Sequence, residues 1–195
     1  MDYFSQKSKF ISIERILIDD IPCLRVRPRG EEKEIPTIIY YHGWGSFKDN
    51  QRFKASAFAL YGYQVILPDA LYHGERNPIK HGQKGMLREY FLKVILNSLE
   101  ESKGLIRGII EDYGGDPERI GVTGHSMGGF ISAGVFAFNE DLKCLVVYNG
   151  SSGWMEAERI YRETRGIGFS EEDVVKLEKY DPMNNIDKIV DRPIL

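Results

Sequence analysis

Residues 124–128 read Gly-His-Ser-Met-Gly, a serine held between two glycines in the pattern G-x-S-x-G. In a chain with 20 glycines that pattern alone is a weak signal. Its setting strengthens it. An apolar run precedes it and a helix-forming run follows, the strand-to-helix context of a nucleophile elbow. A serine on so sharp a turn sits in strained backbone geometry with its hydroxyl projecting from the sheet edge. A Cβ at Gly124 or Gly128 would collide with the turn, and Gly129 lets the helix begin close to a neighbouring strand. The helix N-terminus adds a positive dipole and free N–H groups, which favour a developing oxyanion. That points to acyl transfer on Ser126. The plainer reading is a glycine-rich turn whose serine only caps the helix.

A second stretch, His42-Gly43-Trp44-Gly45-Ser46, follows the apolar run Thr37–Tyr41. An oxyanion hole needs two N–H donors, one after the nucleophile and one from the loop after an earlier strand. Met127 and Trp44 are the candidates. His42 at the strand end reads as a structural residue that holds the loop by hydrogen bonds. A serine at its free pKa also needs a base and an acid. The four histidines are 42, 73, 81 and 125, and all precede Ser126. His81, in a polar stretch, is the one that could reach over the site. Acids after Ser126 (Glu156, Glu158, Glu163, Asp181, Asp187, Asp191) fall in a charged region and read as a solvated face or helix boundaries. None of them is assigned a role.

The elements that must position these residues alternate along the chain. Phe10–Ile18 and Ile21–Arg27 read as strands of a hairpin around the turn Asp19-Asp20, with a polar connection over 28–34. Thr37–Tyr41, Gln64–Leu67, Ile120–Thr123 and Leu142–Tyr148 read as buried strands. Between them come helices over Gln51–Leu60, Gly85–Tyr113 and Met127–Phe138. Gly104 and Gly108 in the long helix suggest close approach to another backbone. The order predicts an α/β domain with a mostly parallel sheet flanked by helices. Residues 150–190 are charged and helical and read as a helical excursion, a cap or lid within one domain spanning 1–195. Arg192–Leu195 reads as a further strand.

Composition excludes several classes. At 195 residues, 42% hydrophobic, 28% charged and net charge −3, the chain is neither disordered nor a nucleic-acid binder. Its apolar runs are too short to span a bilayer, and the N-terminus shows no apolar signal region. Cys23 and Cys144 read as two buried thiols of a cytoplasmic protein. There is no phosphate-binding G-x-x-x-x-G-K-[ST] and no G-x-G-x-x-G. The one near cluster of ligand types, His73-Gly74-Glu75, is explained by a turn, so no metal and no cofactor is expected.

With HGWGS, LPDALYHGER, DPERIGVTGHSMGG and DRPIL in place, the chain resembles the α/β-hydrolase superfamily over nearly all its length. The wording is similar to small bacterial esterases related to the catalytic domain of prolyl oligopeptidase. The resemblance implies a serine hydrolase forming an acyl-enzyme on Ser126, with Met127 and Trp44 as oxyanion donors and His73 and Glu75 in a structural turn. It implies a small-molecule acyl substrate, with Trp44, Phe47, Tyr72 and Trp154 as candidate linings of an acyl pocket. In that fold the acid and then the histidine follow the serine. The expectation is therefore a C-terminally incomplete fold that ends before both, with self-association through an exposed sheet edge. A non-catalytic ligand-binding member of the same fold is the alternative.

Overall fold

The computed structural model describes residues 8–30, 34–168, 170–189 and 191–195. The N-terminal stretch read as lacking an apolar signal region therefore lies mostly outside the described residues, as does the middle of the polar connection over 28–34. Six strands form one sheet: β1 (Ile11–Ile18), β2 (Ile21–Pro28), β3 (Ile35–Tyr41), β4 (Gln64–Pro68), β5 (Gly115–His125) and β6 (Leu142–Tyr148). Their spatial order is β1-β2-β4-β3-β5-β6. β1 and β2 pair antiparallel, as do β2 and β4, and the remaining neighbours are parallel. The helices are α1 (Arg52–Leu60), α2 (Met86–Glu111), α3 (Met127–Phe138), α4 (Trp154–Glu163) and α5 (Glu171–Tyr180). A 3₁₀ segment, Pro182–Lys188, follows α5.

Local chemistry accounts for the element ends. Asp19 and Asp20 turn the hairpin with φ of 50° and 62°, the left-handed pair that a two-residue connection between twisted strands requires. Gly62 at φ 93° closes α1. Ser170 caps α5 by accepting the Asp173 N–H at 3.1 Å, and the acids Glu171, Glu172 and Asp173 complement the dipole of the first turn.

Period-two alternation divides the core into two layers. Tyr41, Ile39, Ile66, Ile120 and Val122 face α2 and α3 in the larger cluster. Tyr40, Val65, Leu67, Leu24 and Val26 face α1, which contributes Ala55 and Ala59. α3 has ten of its twelve residues buried, so it runs through the protein rather than over it. Among the described residues no helix is long and apolar enough to cross a membrane.

Several readings need adjustment. β5 begins at Gly115 rather than Ile120, because Gly115 already pairs with Ile35 ahead of a bulge. Gly104 and Gly108 approach side chains, those of Asp19 and Ile18, and not another backbone. Cys23 is buried, but Cys144 is exposed, because it points from β6 to the α1 side of the sheet, beyond the strands that α1 covers. The segment Arg192–Leu195 forms a bridge rather than a full strand. It runs parallel to β6, with the Leu145 and Val147 N–H groups donating to Pro193 and Leu195 carbonyls at 3.0 and 2.9 Å. The outer edge of β6 is thus partly paired.

Candidate active site

β3 and β5 are adjacent and parallel, in register at Tyr41 and Gly124, so the segments leaving their C-terminal ends meet. Ser126 stands between β5 and α3 with φ 55° and ψ −118°. For a residue with a side chain that is a sparsely populated, strained conformation. Hydrogen bonds hold it there. Its N–H donates to the Tyr148 carbonyl at 2.9 Å, and its carbonyl accepts from Gly129 N–H at 2.8 Å and Phe130 N–H at 3.2 Å. The Ser126 side chain makes no capping hydrogen bond to α3, so the plainer reading of that serine is not what is seen.

The flanking glycines are required by contact. A Cβ on Gly124 would overlap the Gly128 backbone, and one on Gly128 would overlap the Tyr41 and His42 backbone. Gly129 and Gly150 also meet backbone to backbone, which fastens the start of α3 to the chain leaving β6. The turn is therefore clamped between the ends of β3 and β6.

The loop after β3 lies over this turn. A Cβ on Gly43 would stand 3.3 Å from the His125 carbonyl and 3.6 Å from Ser126 Cβ. Met127 is buried at the first position of α3, where a helix leaves its N–H free. Among the described residues neither the Met127 nor the Trp44 backbone N–H has a hydrogen-bond partner. The Trp44 side chain turns away, its Nε1–H donating to the His81 carbonyl at 3.3 Å.

His42 is buried with both nitrogens engaged. Nδ1–H donates to the Gly43 carbonyl at 2.9 Å, and Nε2 accepts the Ala70 N–H at 3.1 Å. Only the neutral ring can do both, and burial pushes its pKa below the usual histidine range. It ties the β3 loop to the β4 loop, as its place at the strand end suggests. His73 and His81 complete a row of rings, 5.1 Å from His42 to His73 and 4.0 Å from His73 to His81. Trp44 packs edge-on against both of the latter. Burial lowers the pKa of His73 to about 4 and lowers that of His81. His125 packs instead against Tyr148 at 5.3 Å.

One constellation was not anticipated from sequence. Lys48, 1% exposed, places Nζ 2.6 Å from Asp69 Oδ2 and 2.6 Å from Glu75 Oε1. Asp69, fully buried, also accepts the N–H groups of Lys48 at 2.8 Å and Glu75 at 3.0 Å. Burial works against the lysine charge, but the hydrogen bonds to Asp69 and Glu75 outweigh it and raise its pKa. The motif D-x-x-x-H-G-E held half of this network. Nothing in the polar run SFKDN signals that its lysine is buried.

Four of the six acids named beyond Ser126 have structural partners. Glu156 and Glu163 pair with Arg159, and Glu158 pairs with Arg162. Asp181 is buried and accepts the N–H groups of Met155 at 2.6 Å and Met183 at 2.8 Å, tying α4 to the 3₁₀ segment. Of the four aromatics offered as pocket linings, Trp154 lines an apolar cavity. Trp44 and Tyr72 pack on the core instead, and Phe47 borders a polar cleft next to Lys48.

Comparison with known proteins gives the family and the fold. A sequence model described as the dienelactone hydrolase family matches residues 21–179. The Bacillus subtilis (strain 168) protein YitV is 30% identical over 199 residues, an overlap covering 95% of this chain and 76% of that protein. Esterase YjfP of Escherichia coli (strain K12) is 29% identical, with the same two coverages. A solved prolyl endopeptidase shares the fold at 16% identity and TM-score 0.70, covering 93% of this chain and 28% of that one.

Proposed function

The chain belongs to the dienelactone hydrolase family of the α/β-hydrolase superfamily, and on that premise we propose that it is a serine hydrolase cleaving small carboxylic esters through an acyl-enzyme on Ser126. The observation that carries this reading is the backbone of Ser126 at φ 55° beneath the Gly43–Trp44 loop. A turn that only connects a strand to a helix has no use for that strain.

The chemistry runs as follows. Ser126 Oγ attacks the ester carbonyl carbon and passes its proton to a base. The carbonyl oxygen takes up charge between the Met127 and Trp44 N–H groups. Collapse of the tetrahedral intermediate expels the alcohol, and water then releases the acid. The strand-helix junction supplies the nucleophile, the helix N-terminus part of the oxyanion field, and the clamped loops its preorganisation. The reading calls for a small acyl substrate and no metal or organic cofactor.

The base is the open element. His42 has no free nitrogen, and burial makes His73 and His81 weaker bases than a free imidazole. That favours, as second reading, a slow or ligand-binding member of the family. Hydrolysis of p-nitrophenyl acetate and labelling by a fluorophosphonate decide between them. The hydrolase reading expects both to vanish in Ser126→Ala. A chain working without a base is expected to run about a millionfold below a full triad, keeping about a thousandfold over water from binding and the oxyanion hole. Hydrolysis that survives Ser126→Ala would remove the serine from the mechanism.

A further inference from the structure

An apolar cavity of about 240 Å³ lies between α2, α3 and the two helices of the excursion. Phe91 and Leu92 of α2, Phe130 of α3, Trp154 and Tyr161 of α4 and Leu177 of α5 line it. Its two charged lining residues are Arg88, which is exposed, and Glu158, already paired with Arg162. The walls are fixed. Trp154 Nε1–H donates to the Phe130 carbonyl at 3.1 Å, and the edge of its indole ring covers Gly134. Phe91 and Phe130 meet edge to face, with centroids 5.4 Å apart.

Two of these lining residues also touch the candidate site. The Phe130 N–H donates to the Ser126 carbonyl, and Phe91 packs 6.1 Å from Trp44, the candidate oxyanion donor. Phe130 is four residues beyond Ser126, so at 1.5 Å rise per residue it lies about 6 Å along α3 from the nucleophile. An acetyl group on Ser126 is too short to reach that depth. An apolar cavity of about 150 Å³ takes a benzene ring, so this larger one has room for about eight carbons.

We propose that the cavity is the acyl pocket of the Ser126 site, and that the preferred substrates are esters of apolar acids of about six to eight carbons, straight-chain or phenyl-ended, over acetates. This rests on the hydrolase reading and adds to it the class of acyl group. Trp154 is one of two tryptophans, so in a Trp44→Phe protein its emission reports on the cavity alone.

The test titrates that protein with acetamide, butanamide, hexanamide and octanamide, which are not cleaved as esters are. Affinity is expected to rise about fourfold per methylene from butanamide onward. Ala157→Phe, which fills the cavity from α4, should flatten the series, and Leu87→Phe at the rim serves if the first variant misfolds. An affinity independent of chain length, or a series unchanged in a folded filling variant, overturns the pocket. In parallel, p-nitrophenyl hexanoate and acetate are assayed with the unaltered chain and Ser126→Ala. Hexanoate favoured, with Ser126 required, supports the proposal. Hydrolysis that survives Ser126→Ala overturns the hydrolase reading even where the amides bind in series. Serine-dependent hydrolysis with a flat amide series overturns the pocket alone.

Discussion

At φ 55° and ψ −118° Ser126 occupies backbone space that glycine enters freely and a side chain enters only under constraint. Ser126→Gly keeps the Tyr148, Gly129 and Phe130 hydrogen bonds and removes the clash of its own Cβ. It is expected to stabilise the fold by about 1 kcal/mol, a rise of about 2–4 °C in Tm, while abolishing any serine-dependent hydrolysis. Calorimetric Tm beside an ester assay checks it, and a lower Tm would mean the hydroxyl itself supports the turn. Gly-His-Ser-Met-Gly was legible because glycine and serine advertise backbone geometry. Lys48 and Asp69 were not. Charged residues in a polar run read as solvated, and only the tertiary meeting of the β3 and β4 loops buries them.

Those two loops behave as one element. Asp69 joins the end of β4 to the chain that carries Trp44, and His42 joins the same loops from the other side. Lys48→Met keeps the aliphatic stem but leaves the Asp69 carboxylate buried without its cation. The expected cost is about 3–5 kcal/mol. Urea denaturation followed by circular dichroism measures it, and a loss below about 1 kcal/mol would show the pair is solvated in solution. α3 and β6 were read from sequence with the ends they have. The start of β5 was not, because Gly-Gly-Asp-Pro carries turn chemistry and only the pairing of Gly115 with Ile35 makes it strand. The excursion was legible as charged and helical, though without the bounds of its helices. Its cavity was not, since facing walls from four helices leave no pattern along the chain.

Across the whole molecule the sheet is unevenly covered. α1 serves β2, β3 and β4, while on the same face β6 shows Val146 38% exposed and Tyr148 63% exposed. The short 193–195 stretch pairs the edge of β6 but leaves that apolar face open. The 195-residue chain is therefore expected to self-associate at this side of the sheet. Light scattering should rise with concentration and fall in a Val146→Lys, Tyr148→Lys double variant; a monomer at all concentrations would count against it. The strand order carries another consequence, in the time the chain takes to be made. β1, β2, β4 and β3 can assemble as soon as β4 exists, but the free side of β3 waits for β5, complete after roughly sixty further residues, or about 3–12 s of synthesis. Throughout that interval a nascent chain displays an unpaired apolar strand edge, and the turn that strains Ser126 closes later still, when β6 brings the Tyr148 carbonyl and Gly150 against it. The reactive geometry is thus completed one strand later than the pairing of β3, once β5 has gained its own neighbour β6.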